Sequence, residues 1–409
     1  MTAQVDEKPT LERVYADLHL HIGRAENGQL VKISGSRDLT FRNIAHEAAV
    51  RKGIRLLGVI DAHSPSVQQD IAALLSSGEM RELPQGGILY RDTTLLLGAE
   101  IEVRDEGMAG PAHYLCYMPD FDAMQSFTQW MSAYMRNVEL SSQRIYVTGR
   151  RLQEETRKRG GLFIPAHLFT PHKSLLGSAA DSIASVLDPE LIDAVELGLS
   201  ADSKMAGWLQ ELDRYPFLSN SDAHSLRKIG REYNALLMGE PSFAELKLAL
   251  AGAEGRAIVA NYGLNPMLGK YHRTYCKSCG IIAEGGAVGN QCLTCGSSKL
   301  VSGVMDRIER LALQFGRKEP CVKGRPPYRY QIPLDFMPGL GQKLLERMLE
   351  TFGTEMYILH EASCEALADV AGDKLAELIC DARLGGVQLQ AGGGGAYGKV
   401  SGIERPVRS

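Results

Sequence analysis

Residues 14–21 read Val14-Tyr15-Ala16-Asp17-Leu18-His19-Leu20-His21, an alternating apolar run that closes on one carboxylate and two imidazoles. Side chains of a strand alternate between faces, so His19 and His21 project from one face and can serve one cavity. Three further apolar runs close in the same way, on Asp61-Ala62-His63, on Pro165-Ala166-His167 and on Ser221-Asp222-Ala223-His224. Glu100 ends the run Leu95-Leu96-Leu97-Gly98-Ala99, and His113 opens the next one. Strand ends are where an α/β barrel gathers its ligands, and imidazole with carboxylate is a donor set for zinc, manganese or iron. The candidate metal ligands are therefore His19, His21, Asp61, His63, Glu100, His113, His167, Asp222 and His224, with His167, Asp222 and His224 expected nearest the chemistry. A site this rich suits two or three divalent ions with shared carboxylates between them. Glu196 also ends a strand-like run, but its apolar flanks suggest a supporting role.

Outward from these motifs, strand-like runs at 14–19, 55–60, 94–103, 112–118, 161–166, 192–197, 217–219 and 257–260 alternate with helical periodicity, notably over 39–52 and 127–159. That alternation predicts a mostly parallel sheet wrapped by helices. The texture breaks at Asn265-Pro266, which divides the chain into a catalytic domain (1–264), a basic cysteine-bearing segment with its linker (265–331), a helical segment (332–386) and a Gly-rich tail (387–409) expected to be flexible.

The 409 residues carry a net charge of −4, but unevenly: −7 over 1–264, +7 over 265–331 and −4 over 332–409. A basic segment between acidic neighbours points to a local anionic partner such as nucleic-acid phosphate. The polar residues 1–10 form no secretory signal, and no long apolar run spans a membrane, so a cytoplasmic, non-membrane protein is expected. A monomer is expected, and a sliding clamp or other repair partner is left open.

Cys276-x2-Cys279 and Cys292-x2-Cys295 are two knuckles that close four thiolates around one structural zinc ion, with Gly280 and Gly296 making the tight turns. The remaining Cys116, Cys321, Cys364 and Cys380 read as plain buried thiols. Lys270, Arg273 and Lys277 beside Tyr271 and Tyr275, with Arg325 and Tyr328 in the linker, form a basic and aromatic surface suited to a nucleic-acid strand. Further on, Pro338-Gly339-Leu340-Gly341 opens a helix with an apolar stripe at Leu344, Leu345, Met348, Leu349 and Phe352. Backbone N–H groups at Gly339 and Gly341 would face phosphates, and a weaker copy at Gly372-Asp373 completes a helix-hairpin-helix pattern.

The ordered series Asp17 to His21, Asp61 to His63, Gly98 to Glu100, His113, His167 and Ser221 to His224 resembles the polymerase-and-histidinol-phosphatase (PHP) metallophosphoesterases over about 250 residues. The resemblance implies a distorted (β/α)7 barrel with a multinuclear metal site, in which Asp17 supports the motif rather than binding metal. The second element is Asp61-Ala62-His63 rather than adjacent Asp-His, which leaves Asp61 and His63 as alternative ligands. A further His that some members carry after the first motif is replaced by Glu26-Asn27. A PHP barrel followed by a four-cysteine zinc element and a Pro-Gly-Leu-Gly hairpin resembles, as an ordered whole, the endonuclease Q family. That resemblance implies a DNA repair endonuclease cutting 5′ to deaminated bases (uracil, hypoxanthine, xanthine) and abasic sites, by attack of metal-activated water on phosphorus. A small-molecule phosphatase of the histidinol-phosphate kind, or an inactive nucleic-acid-binding scaffold, are the alternatives; neither uses all the modules.

Overall fold

The computed structural model describes residues 10–269, 271–282, 291–315, 317–383, 387–390 and 399–403. In chain order its first part runs β1 (Glu12–Leu20), α1 (Phe41–His46) continued by a π-helical turn (Glu47–Lys52), β2 (Leu56–Val59), α2 (Pro65–Ser76), β3 (Arg81–Glu82), β4 (Ile88–Tyr90), β5 (Thr93–Val103) and β6 (Ala112–Met118). Then come α3 (Phe121–Ser132), α4 (Gly149–Lys158), β7 (Leu162–Pro165), β8 (Val195–Glu196), α5 (Ser203–Ala206), β9 (Phe217–Leu218), β10 (Tyr233–Met238), α6 (Phe243–Ala251) and β11 (Ala257–Gly263).

A ring of strands holds the site. β1, β2 and β5 are parallel neighbours, and β6 pairs antiparallel with both β5 and β7. Asp193 N donates to Phe163 O at 3.0 Å to link β7 to β8, β8 lies parallel to β9, and Leu20 bridges Ala223 in parallel to close the circle. β10 and β11 extend the sheet antiparallel from the other edge of β1.

Period-two alternation sorts the barrel into two layers. Val14, Ala16, Leu18, Ile60, Leu96, Leu115, Tyr117, Leu162 and Ile164 share one buried cluster with Leu246 and Leu250 of α6. Their neighbours Leu57, Val59, Leu95, Leu97, Cys116 and Phe163 belong to a second cluster, which continues into the surrounding helices. Tyr117 fits inside because glycine stands opposite it: a Cβ at Gly58 would lie 2.8 Å from its ring and one at Gly98 3.0 Å.

Beyond the barrel, β12 (Tyr275–Cys276), β13 (Ile281–Ile282) and β14 (Leu300–Val301) form a three-stranded ribbon, followed by α7 (Val304–Phe315), β15 (Tyr328–Tyr330), α8 (Gln342–Phe352), α9 (Glu355–His360), α10 (Cys364–Ala371) and α11 (Asp373–Arg383). Arg307 of α7 anchors this part to the barrel by donating to Leu176 O, Ala180 O and Asp181. The helices α8 and α9 dock on the π-helical turn, where Arg51 pairs with Glu346 at 2.7 Å and Lys52 with Glu355 at 2.8 Å.

Several sequence expectations are corrected. The helical periodicity over 127–159 breaks into α3 and α4, because Thr148 caps a new helix by accepting from Arg151 N, leaving 133–148 as a loop. The basic linker is not free: residues 328–330 pair in parallel with β11 as part of the barrel sheet. Within the tail, Val387–Gln390 and Lys399–Ile403 pair as an antiparallel hairpin, so the alternating residues on either side of the Gly run find partners; residues 391–398 lie outside the described ones. Cys364 and Cys380 are a disulfide rather than thiols, since neighbouring α10 and α11 bring their Cα atoms to 6.3 Å. Cys321 is exposed, and Cys116 is buried as expected.

Candidate metal centre and adjoining cavity

Two triplets of donors lie side by side at the open end of the ring: His19, His21 and Asp222, and Glu100, His113 and His167. Alternation alone aims Glu100 and His113 correctly, since both keep the inner parity of Leu96 and Leu115. The other ligands need backbone irregularities. β1 shifts register between Asp17 and Leu20, which turns His19 and His21 inward after Leu18. His167 and Asp222 adopt left-handed backbone, with φ of 30° and 45°, at a cost that a required side-chain direction accounts for.

The geometry fits divalent ions. His21 Nε2 lies 3.4 Å and His19 Nε2 3.6 Å from Asp222 Oδ1, and His167 Nε2 lies 3.2 Å from Glu100 Oε1. These spacings approach the roughly 3.3 Å edge expected of a tetrahedron with metal–ligand bonds near 2 Å. Glu100 sits between the triplets, with Oε1 3.6 Å from His19 Nε2 and Oε2 3.7 Å from His21 Nε2. His19 Nε2 and His113 Nε2 are buried without a hydrogen-bond partner, which an ion would supply at His19. The opposite ring nitrogens are held by carboxylates: His19 Nδ1 by Glu196 at 2.9 Å, and His21 Nδ1 by Asp61 at 3.0 Å. This is how ligating imidazoles are usually oriented.

The electrostatics agree. Burial opposes ionisation of Glu100 and Asp222, yet the facing imidazoles, with Lys32 at Glu100, hold both carboxyls well below the ordinary range. Burial, reinforced by His21, brings His224 down to about 4, so its ring is a neutral donor at physiological pH. Asp17 belongs to neither triplet: its oxygens accept from Ser221 N at 3.0 Å and Gly230 N at 2.9 Å, tying β1 to the Ser221–His224 turn.

Three expected ligands fall outside the triplets. Asp61 and His63 keep the outer parity of Leu57 and Val59, so Asp61 reaches His21 from behind, and both His63 ring nitrogens are buried with no partner. Neither joins a triplet among the described residues. His224 also stays outside the triplets; its Nδ1 contacts Asp222 O at 2.9 Å, and the ring borders the cavity described below. Residues that sequence reasoning missed come from loops: Lys32 Nζ lies 3.3 Å from His21 Nε2 and 2.6 Å from Ser142 Oγ, Ser141 Oγ lies 3.1 Å from His21 Nδ1, and Ser142 also contacts Glu100. Nothing in their local sequence marks them, because only tertiary folding brings 32 and 141–142 to the strand ends.

Beside the triplets opens a cavity of about 360 Å3, bordered by His167, Glu196, Asn220, Asp222, His224 and Tyr271. Its size lies in the range of small-ligand sites. Tyr271 comes from the segment leading into the ribbon and meets His172 edge-on at 5.7 Å.

In the ribbon, Cys276 Sγ to Cys295 Sγ is 3.6 Å and Cys279 Sγ to Cys292 Sγ 3.7 Å, close to the roughly 3.8 Å edge expected of a zinc–thiolate tetrahedron. Gly280 and Gly296, with φ of 72° and 70°, make equivalent knuckle turns. Of the expected nucleic-acid contacts, Lys277 is exposed and Lys270 lies outside the described residues. Gly339 and Gly341 stand in open space, and Gly341 caps α8 without a side-chain bond. Three expected contacts are corrected. Arg273 is paired with Asp306 at 2.6 Å and Glu309 at 3.1 Å. Arg325 donates to Leu212 O and Tyr215 O and lies 3.5 Å over the Phe217 ring. The Tyr328 hydroxyl is buried where β15 joins the sheet. Each is used in internal packing: Arg273 pairs with α7 of its own segment, and Arg325 and Tyr328 are taken up where the linker folds back onto the barrel.

No protein-family model matches the chain. An uncharacterized protein of Bacillus subtilis, YqxK, is 52% identical over 391 residues, 95% of this chain and all of that one. Among solved structures, the lesion-specific endonuclease PfuEndoQ from Pyrococcus furiosus superposes with a TM-score of 0.83 at 31% identity, covering 97% of both chains. An endonuclease Q bound to a 27-mer duplex with an abasic lesion at the active site gives 0.81 at 30% identity, over 97% of this chain and 99% of that one. With the barrel, the paired metal triplets and the four-cysteine ribbon all present in one continuous likeness, the chain belongs to the endonuclease Q family.

Proposed function

We propose that the protein is a lesion-specific DNA repair endonuclease, a metal-dependent phosphodiesterase that cuts on the 5′ side of deaminated bases (uracil, hypoxanthine, xanthine) and abasic sites. The observation that carries this reading is the pair of adjacent donor triplets, with Glu100 of one facing the histidines of the other, beside a cavity lined by His167 and Asp222, in a chain that matches endonuclease Q along nearly its whole length. His19, His21 and Asp222 would hold one divalent ion, and Glu100, His113 and His167 another, with zinc, manganese and iron all compatible with the donors. Such ions supply an activated water and neutralise charge on the phosphodiester.

The chain's own residues do the rest. Glu196 and Asp61 fix the tautomers of His19 and His21, so that each Nε2 presents a lone pair to the site. Neutral His224 borders the cavity and is placed to contact the phosphate or the departing oxygen. A damaged base is buried in a duplex and must be extruded to be read. The cavity beside the triplets would receive it, with Tyr271 as a ring to stack on and Asn220 as an amide to read its edge. Lys277 and the exposed backbone of Gly339 and Gly341 would hold the flanking phosphates without reading sequence.

The test is nicking of a uracil-containing or abasic duplex by the wild type and by an Asp222→Ala, His224→Ala double variant, with Mn2+ or Zn2+ added back after chelation. Lesion-dependent nicking that needs metal, and a loss of at least a hundredfold in the variant, are expected. Undiminished cutting by the variant would overturn the metal assignment; turnover of para-nitrophenyl phosphate without nicking would favour a small-molecule phosphatase.

A further inference from the structure

Lys32 stands among the barrel's donors, and neither the motifs nor the proposed ligands explain it. Its side chain is 16% exposed, and its ammonium stands 3.3 Å from His21 Nε2, 3.5 Å from Glu100 Oε2 and 2.6 Å from Ser142 Oγ. Ser142 takes left-handed backbone, with φ of 53°, and its hydroxyl touches Glu100 as well as Lys32. Two loops distant in sequence thus hold one fixed positive charge against both triplets.

The same region lacks donors for a third ion. Asp61 is turned to His21 Nδ1, His63 lies on the outer parity, and the described residues form no third group of histidine and carboxylate donors. An ammonium at this point would repel a third divalent ion at close range. We propose that the barrel holds two divalent ions and that the Lys32 ammonium supplies the third positive charge, donating a hydrogen bond to a non-bridging oxygen of the scissile phosphate. Lysine suits the task as a compact charge with three donors: Ser142 takes one, and the two now aimed at His21 Nε2 and Glu100 Oε2 would be released towards a phosphate once ions take those lone pairs. The inference rests on the phosphodiesterase reading given above and refines it: charge that a third cation would neutralise in the transition state is met by a side chain built into the protein.

The experiment combines metal counting with kinetics on the full chain, using wild type, Lys32→Met and Lys32→Arg. After chelation and reconstitution with Mn2+ in the barrel, elemental analysis should find two manganese ions per wild-type chain besides the ribbon's zinc. Lys32→Met should retain both ions, lose about a hundredfold or more in kcat on lesion DNA and change KM by less than threefold. Lys32→Arg should recover part of kcat, because its charge is retained.

Three barrel ions in the wild type would overturn the proposal, as would full kcat in Lys32→Met. Loss of an ion in Lys32→Met would also overturn it, by making the lysine a support for the ligands rather than a contact to phosphate. If no divalent ion is retained in the wild-type barrel, or nicking survives complete metal removal, the underlying reading fails instead, so the two failures are told apart.

Discussion

Replacing Glu196 by Gln tests whether the carboxylate behind His19 sets the metal affinity of the centre. Glu196 is 1% exposed, and its carboxylate accepts from His19 Nδ1 at 2.9 and 3.1 Å and from His167 N at 3.1 Å. An amide keeps the shape, and its oxygen in the Oε2 position still meets both donors, but the negative charge is lost and the NH2 replaces the oxygen 3.1 Å from His19 Nδ1. A charge-assisted hydrogen bond contributes about 1.5–3 kcal/mol, and loss of such an orienting partner lowers metal affinity by roughly 10–100-fold. Those two figures agree, since a tenfold change corresponds to about 1.4 kcal/mol. Competition with a coloured chelator would measure Mn2+ affinity, and nicking rates across a metal titration would separate affinity from chemistry. Affinity should fall by about 10–100-fold in Glu196→Gln while kcat at saturating metal recovers to within about threefold of wild type. Unchanged affinity with a lost kcat would refute the argument, because Glu196 would then act on the substrate and not through His19.

Two further expectations concern how the C-terminal helices sit on the barrel. Gly53 has φ of 76°, and a Cβ there would approach Thr354 Oγ1 to 2.5 Å. Gly53→Ala should therefore destabilise the protein by about 1–3 kcal/mol, from left-handed backbone and the clash together, as read by urea denaturation; a neutral result would show that α9 does not pack there in solution. His360 stacks on Tyr15 and contacts Tyr233 Oη at 2.7 Å, and burial, with Arg383 and Arg13 nearby, lowers its pKa to about 4. A histidine depressed on folding binds its proton first in the unfolded chain, so stability is full above pH 6.5 and is lost as pH falls from 6.5 towards 4. The loss is at most about 3 kcal/mol at about 1.36 kcal/mol per pH unit. Wild type should thus lose more stability than His360→Phe over that interval, a difference unaffected by acid release of barrel metals in both; equal slopes would rule it out.

Much of the site is legible in the sequence because strand alternation is a local rule. Leu96-Leu97-Gly98-Ala99-Glu100 and His113-Tyr114-Leu115 carry their inward parity in their own spacing, and the cysteine knuckles carry their turns. The same rule, counted from Ile60 rather than from Asp61 itself, also marks Asp61 and His63 as outward residues. The basic residues misled for a related reason: Arg273, Arg325 and Tyr328 look available in a turn-rich segment until α7 supplies carboxylates to Arg273 and the linker folds onto the barrel, whose carbonyls and sheet edge take up Arg325 and Tyr328.

The sequence by itself determined the donor types, the inward parity of Glu100 and His113, the four-cysteine ribbon and the order of modules. Only the tertiary structure decided that His19, His21, His167 and Asp222 converge, that Glu196 and Asp61 stand behind them, and that Lys32 and Ser142 arrive from remote loops. The physical reason is range. Alternation and turn chemistry act over a few residues, whereas convergence depends on how the ring of strands closes, on a register shift in β1 and on two left-handed residues that packing elsewhere in the barrel sustains.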